Sequence, residues 1–259
     1  MNLLKDKKIL ISGISNKYSI AYGIAKSLYR EKASLAFSYQ NERFKKKVKK
    51  IAKKFHSDII VKCDVSKDKD IFFLFYKIKK YWKKFDGFVH SIAYAPKQQL
   101  NGDYVKLINR RDFLITHNIS SYSFVSMAKN SLDMLNEGSS LVTITYVGSK
   151  RVINNYNIMG VAKASLEANV IYMANSLSRY GIRVNAISSA PISTLSSLGV
   201  KDFKKTLNNF NKYSLINGNV SIHNIGNIAV FLLSYLSNII TGQVIYADGG
   251  FNINLSKNI

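Results

Sequence analysis

The sequence predicts an α/β fold: a doubly wound parallel sheet, built as a single domain over residues 1–259. Three observations carry that expectation. Short apolar runs alternate with amphipathic stretches from one end of the chain to the other. With 259 residues, 47% hydrophobic and 20% charged, the chain has material for one large core and is not disordered in bulk. No Pro/Ser-rich linker divides it, and it holds only two prolines. Parallel strands need crossover connections, usually helical, so strand–helix alternation implies a parallel sheet covered on both faces.

The elements follow in order. Residues 8–12 are apolar and run into Gly13, which reads as a buried strand, with a helix over 19–32. Residues 35–39 form the second strand. In the next segment Phe44, Val48, Ile51, Ala52 and Phe55 recur at helical spacing, one stripe among lysines. Residues 59–63 are the third strand, and Ile71, Leu74, Phe75, Ile78 and Trp82 make a second helical stripe. Residues 86–91 are the fourth strand, followed by one long helix over 113–135. The fifth strand spans 141–146, a second long helix 156–177 and the sixth strand 182–188. A helix over 222–236 and a last strand over 242–247 complete a Rossmann-like order.

The charge is lopsided: 38 basic against 15 acidic residues give +23. That invites a nucleic-acid reading. The lysines, however, surround the two apolar stripes, where they read as solvated outer faces of packed helices. Excess Lys, Asn and Ile also fits AT-rich coding, which raises charge without a polyanionic partner. Neither nucleic acid nor membrane is expected as a partner: no run approaches the roughly 18 apolar residues of a span. The single cysteine, Cys63, and the absence of an apolar segment at the N-terminus lead to an expectation of a reduced, cytoplasmic protein. No His/Cys/Asp cluster calls for a metal, and His90 reads as a packed strand residue.

In doubly wound sheets ligands bind beyond the carboxyl ends of the strands. After the first strand, Gly13 allows a tight turn and Ser19 is a helix N-cap, with Ile20 opening the helix. Free N–H groups and the helix dipole there suit a pyrophosphate, although an ordinary capped turn has the same sequence. After the second strand stands Gln40, which bonds ribose hydroxyls without repelling a 2′-phosphate; Arg43 and Lys45 lie near, so charge leaves NADH against NADPH open. Asp64 and Val65 after the third strand offer a carboxylate for adenine and an apolar lid, or equally a helix cap. Beyond the fifth strand, Tyr156 and Lys163 are seven apart, two helical turns, which puts them on one face. An ammonium there lowers a phenol's pKa and binds ribose hydroxyls, and the phenol stabilises an oxyanion. Spacing alone does not separate this from a tyrosine that is merely interior.

Several stretches resemble bacterial enoyl-[acyl-carrier-protein] reductase, the NADH-dependent, divergent branch of the short-chain dehydrogenases in type II fatty-acid synthesis. They are residues 19–25, 85–92, 119–124, 162–169, 183–187 and 248–251. The likeness runs end to end. Its discriminating mark is Tyr-x6-Lys. Ordinary short-chain dehydrogenases use Tyr-x3-Lys, and position 159 is Met, which disfavours an ordinary carbonyl reductase on the same fold. The resemblance implies that Gly13, Ser19 and Ile20 form the dinucleotide turn. Gln40, Asp64 and Val65 hold the adenosine half, and Gln40 favours NADH. Ile92 lies near the cofactor and Ala95 near the acyl thioester. Tyr146 and Tyr156 are the active-site tyrosines and Lys163 the ribose-binding lysine. Ile192, Ser193, Thr194, Leu195 and Ser196 belong to a loop that closes over nicotinamide and substrate, expected to order only with ligand.

The implied partner is an acyl carrier protein bearing an enoyl thioester, and the implied assembly a homotetramer. Lys201, Lys204 and Lys205 are expected on one helical face at the pocket mouth. Four features depart from the family pattern: Ala93 and Ala190 where Gly is usual, Ser193 where Arg is frequent, and a stretch over 213–220 without its Pro and Arg. If either alanine position requires φ > 0, the side chain costs about a kilocalorie.

Overall fold

The computed structural model describes residues 2–194, 197, 200–216, 218 and 220–254. Its centre is a seven-stranded, all-parallel sheet. The strands are β1 (Lys8–Ser12), β2 (Ser34–Tyr39), β3 (Ile60–Lys62), β4 (Phe85–His90), β5 (Leu135–Thr145), β6 (Arg183–Ser189) and β7 (Val244–Ala247). Their order is β3-β2-β1-β4-β5-β6-β7. The winding reverses between β1 and β4, which opens the crevice where such sheets take ligands.

Two apolar layers cover the sheet. On one face α1 (Ile20–Arg30), α2 (Glu42–Lys54) and α9 (Ile222–Leu233) pack through Ile24, Val48 and Ile225. On the other, α3 (Asp68–Ile78), α6 (Ser123–Ser131) and α7 (Asn157–Leu177) pack through Leu74, Phe124 and Leu166. The lysine-rich α2 shows how the charge is carried. Val48, Ile51 and Ala52 are buried while its lysines face outward. Burying Val48 and Ile51 is worth about 1.5–3 kcal/mol each, which the solvated lysines do not oppose. Asn41 caps the helix by accepting from the Arg43 N–H, and Glu42 sits in its first turn.

Two stretches differ from the expectation. The long helix over 113–135 is instead α5 (Arg110–His117), a widened π-turn over Asn118–Tyr122, and α6. Its serines explain the break: the Ser123 hydroxyl donates to the Ile119 carbonyl at 2.7 Å, and Ser120 bonds the Tyr94 backbone. Such side chains compete with the helix for its own carbonyls. Second, β5 begins at Leu135 rather than 141, because Leu135 pairs with Phe85 before the register shifts at Gly87. Short helical pieces complete the chain: α4 (Tyr104–Leu107) and α8 (Phe203–Tyr213).

Candidate active site

Gly13 leaves β1 with φ of +96°, and a Cβ there would stand 2.0 Å from the Ser91 carbonyl oxygen, so only glycine fits. The chain then reaches Ser19, whose hydroxyl accepts from the Tyr22 N–H at 3.3 Å and donates to the Asn16 carbonyl at 2.8 Å. That fixes the N-terminus of α1, with Ile20 its first residue, beside the crevice. Backbone approach at a glycine, next to a helix start, is the shape that admits a pyrophosphate. Ile92 packs on Gly13 from the end of β4. Two residues on, Tyr94 is tied to Ser120 in the π-turn, which holds the loop carrying Ala95.

On the adenosine side, Gln40 is exposed at the end of β2. Lys45 is drawn to Glu42 at 3.3 Å, so one of the two cations near Gln40 is matched by a carboxylate. Asp64 accepts from the Ser66 N–H and hydroxyl at 3.1 and 2.8 Å, a turn leading into α3. This is a local turn and not a helix cap: the N-cap of α3 is Lys67, with no side-chain bond. Val65 is 6% exposed and joins the core under α3 rather than standing open as a lid.

The turn between β5 and α7 gathers the chemistry. Tyr146 follows β5, and its ring meets that of Tyr156 edge-on, with centroids 5.1 Å apart. Tyr156 is the N-cap of α7 and lies outside its helical turns. Asn155 turns the chain into it with φ of +61°, a conformation asparagine tolerates. Gly148 makes the pairing possible: a Cβ there would lie 2.6 Å from the Tyr156 ring and 3.2 Å from Tyr146. Gly160 on α7 faces the Gly148 carbonyl with the same lack of room, 2.6 Å from a Cβ. Gly148 and Gly160 are positions at the tyrosine pair that sequence reasoning passed over; a glycine in the turn facing a glycine one helical turn past Tyr156 is the signal.

Lys163 departs from the expected picture. It is 5% exposed, and its Nζ donates to the Ile144 carbonyl at the end of β5 at 2.7 Å. Burial lowers its pKa to about 8, partly offset by the negative charge of Glu167. The expected lowering of the tyrosine pKa does not occur. Burial pushes the Tyr156 phenol up, and Tyr146 and Glu167 push further. Tyr146 is likewise raised, by burial and by Asp248. Desolvation of the anion dominates, and the neighbouring negative groups add to it, so both phenols remain neutral. His90 lies behind them, fully buried, with its ring nitrogens at 3.1 Å from the Thr143 hydroxyl and 2.8 Å from that of Ser123. Burial, with Lys163 adding, holds its pKa at about 3.

Beyond β6, Ile192 packs against the sheet's α1 side. Ser193 is exposed, and Thr194 is bound to Ser197, whose hydroxyl also donates to the Ile192 carbonyl at 2.8 Å. Leu195 and Ser196 lie outside the described residues. Ala93 and Ala190 are not among the residues with positive φ, so alanine is unstrained at both. Lys201 precedes α8, and Asp202, with φ of +57°, separates it from Lys204 and Lys205. The three lysines therefore do not share one helical face. Asn155 nevertheless donates to the Lys201 carbonyl at 2.9 Å, which keeps the segment beside Tyr156.

A family model described as enoyl-(acyl carrier protein) reductase matches residues 13–252. The chain is 57% identical to the NADH-dependent enoyl-[acyl-carrier-protein] reductase FabI of Buchnera aphidicola subsp. Baizongia pistaciae, over 100% of this chain and 99% of that protein. It is 53% identical to the FabI of Escherichia coli strain K12, over 98% and 97% of the two chains. The crystal structure of FabI from Candidatus Liberibacter asiaticus superposes with a TM-score of 0.97 at 39% identity, covering 100% of both chains.

Proposed function

The chain belongs to the enoyl-[acyl-carrier-protein] reductase family, and we propose that Tyr156, Tyr146 and Lys163 carry its chemistry. It is an NADH-dependent oxidoreductase of fatty-acid synthesis that reduces the trans-2 double bond of an enoyl thioester on acyl carrier protein. The single observation that supports the residue assignment is the crossed pair of neutral phenols just past β5, with the buried Lys163 bonded to the Ile144 carbonyl at the end of the same strand.

The residues present fit a dinucleotide. Gly13 leaves a cradle that a Cβ would fill, and the start of α1 supplies N–H groups and a positive dipole end for phosphate. Gln40, exposed at the end of β2, would bond the adenosine ribose. Asp64 holds its turn and presents the adenine edge, while Val65 supports it from the core. Ile92 would bound the nicotinamide side, with Ile192, Ser193 and Thr194 beyond β6 beside it. Bound NADH supplies the hydride, which goes to the β-carbon of the enoyl thioester.

The protein's own part is electrostatic. The Tyr156 hydroxyl, kept neutral by burial, donates to the thioester oxygen and strengthens that bond as the oxygen gains enolate charge. Lys163, an ammonium below about pH 8 that donates to the Ile144 carbonyl, would hold the ribose hydroxyls and add positive field. Tyr146 fixes the Tyr156 ring and walls the pocket, with Ala95 on the acyl side. Protonation at the α-carbon completes the saturated chain. We read residues 1–259 as one catalytic domain.

The protein works in the cytoplasm as a homotetramer in this reading. Among the described residues no helix is long and apolar enough to cross a membrane. Leu114 on α5 and Val161, Ile171 and Tyr172 on α7 are exposed apolar side chains, and a helix apolar nearly all round asks for a partner. The test is NADH oxidation with crotonyl thioester, run beside NADPH. Turnover with NADH that is lost in Tyr156→Phe supports the assignment; turnover unchanged in that variant refutes it.

A further inference from the structure

Glu167 lies on α7 one helical turn beyond Lys163, with 3% exposure. Its Oε1 accepts from the Thr145 hydroxyl at 2.7 Å and from that of Ser149 at 2.5 Å. Those two donors stand on either side of Tyr146 in the chain. One carboxylate thus ties the last residue of β5 and the following turn to the helix that carries Lys163. Its Oε2 is buried without a hydrogen-bond partner and has the Lys150 Nζ at 3.7 Å. A buried charge is expensive, and an apolar side chain would fill the place at lower cost if packing were the whole requirement. We infer that Glu167 is a positioning residue for the reduction: it clamps the turn on both sides of Tyr146 and places a carboxylate one helical turn from Lys163, the lysine read as holding the cofactor.

The inference rests on the reading of Lys163 as the ribose-binding lysine. The groups facing this buried ammonium divide simply. His90 on β4 is neutral, held near pKa 3. Tyr146 and Tyr156 are neutral, both pushed up. Asp248, just past β7, acts on Tyr146, and Tyr246 on β7 feels both Glu167 and Asp248, with Arg151 opposing. Lys150 approaches Glu167 from the solvent side, 62% exposed and therefore screened. Glu167 is the carboxylate that offsets the desolvation of Lys163. An ammonium makes charge-assisted, stronger bonds to ribose hydroxyls than the neutral amine does, so NADH affinity falls as pH rises through the lysine's pKa.

The experiment measures NADH Kd between about pH 6 and 9 for the full-length protein and its variants, a window spanning the depressed lysine. In Glu167→Gln the loss of affinity should set in about one unit lower, with about fivefold weaker binding near pH 8, about tenfold near pH 9 and little change near pH 6. Glu167→Asp should restore most of the original profile. Ser149→Ala keeps the charge and removes one clamp bond, so kcat should fall while the pH midpoint of NADH binding stays. A Glu167→Gln profile that superimposes on the parent overturns the inference. So does affinity weakened equally at every pH, which is the mark of packing alone, or a Ser149→Ala enzyme with unchanged kcat. Lys163→Met, run alongside, separates the two failures: if it binds NADH with the parent's affinity and pH profile, the reading of Lys163 has failed, not the role of Glu167.

Discussion

At the start of α1 the proposed binding surface is backbone, and between β5 and α7 it is side chains. Gly13 and the first turn of α1 present N–H groups whose position is set by φ angles and by a contact with the Ser91 carbonyl. Tyr146, Tyr156, Lys163 and Glu167 are placed by packing and charge, and each has its proton affinity altered by burial or helps to alter another's. Backbone geometry has no graded response: a Cβ either fits or it does not. Side-chain electrostatics are graded, so substitutions there should separate binding from turnover rather than abolish both.

The largest effect should therefore come from the backbone side. Gly13→Ala introduces a Cβ 2.0 Å from a carbonyl oxygen at φ of +96°. The strain and overpacking should cost about 2–4 kcal/mol and remove measurable NADH binding. Thermal unfolding and an NADH titration check this together. A variant that melts and binds as the parent does would show that the turn is not the cofactor cradle.

The side-chain region should split. Tyr156→Phe should lower kcat by about 10²–10³-fold, the scale of one lost oxyanion donor. If the phenol acts only in the transition state, kcat/KM falls equally and NADH Kd moves little. Lys163→Ala should do the reverse first, weakening NADH before anything else. Steady-state kinetics beside direct titration distinguish them, and equal losses in both variants would mean the two residues act as a unit.

The two regions were also unequally legible in the sequence. The Gly13–Ser19 turn was readable because its meaning is local: a glycine after a strand and an N-cap before a helix. The spacing of Tyr156 and Lys163 was readable too, but the direction of the lysine was not. Its Nζ goes to the Ile144 carbonyl, a group that only the end of β5 brings near. The sign of the tyrosine shift was misjudged for the same reason, since desolvation depends on what packs around the ring. Glu167 carried a signal that went unused, a carboxylate one turn from Lys163 inside the stripe of Leu166, Val170 and Met173. The over-long helix at 113–135 came from reading its apolar residues and not its serines. The early start of β5 lies in Leu-Asn-Glu-Gly, which has no strand alternation and is drawn into the sheet by Phe85.

Gly148 is where the two kinds of control meet, a backbone requirement that serves side chains. Gly148→Ala should force the Tyr146 and Tyr156 rings apart by a few tenths of an ångström or more. Because misplacement on the ångström scale costs up to about a hundredfold in rate, we expect about tenfold in kcat/KM. NADH affinity should change less, since Gly13 and α1 are remote from the turn. A larger loss in NADH binding than in turnover would place Gly148 with the backbone cradle instead.

The smallest effect concerns charge outside both regions. Lys201, Lys204 and Lys205 lie around the start of α8, beside Asn155 and so beside the tyrosine pair. Lys205 is partly matched by Asp202 at 3.6 Å, an exposed pair worth little in stability. The patch does not form one helical face, and its action must come from summed field rather than from a matched surface. Acyl carrier proteins are acidic, so such a field would steer association and orient the thioester. Replacing all three lysines by Glu should raise KM severalfold for carrier-bound substrate and leave KM for a coenzyme A thioester much less changed. The difference should shrink with added salt, because exposed charges are screened within a Debye length of roughly 10 Å at about 0.1 M. Equal changes for carrier-bound and small substrates would mean that these lysines act through Asn155 and the turn behind it. The patch would then belong to the packing that sets Tyr156, not to the approach of the carrier.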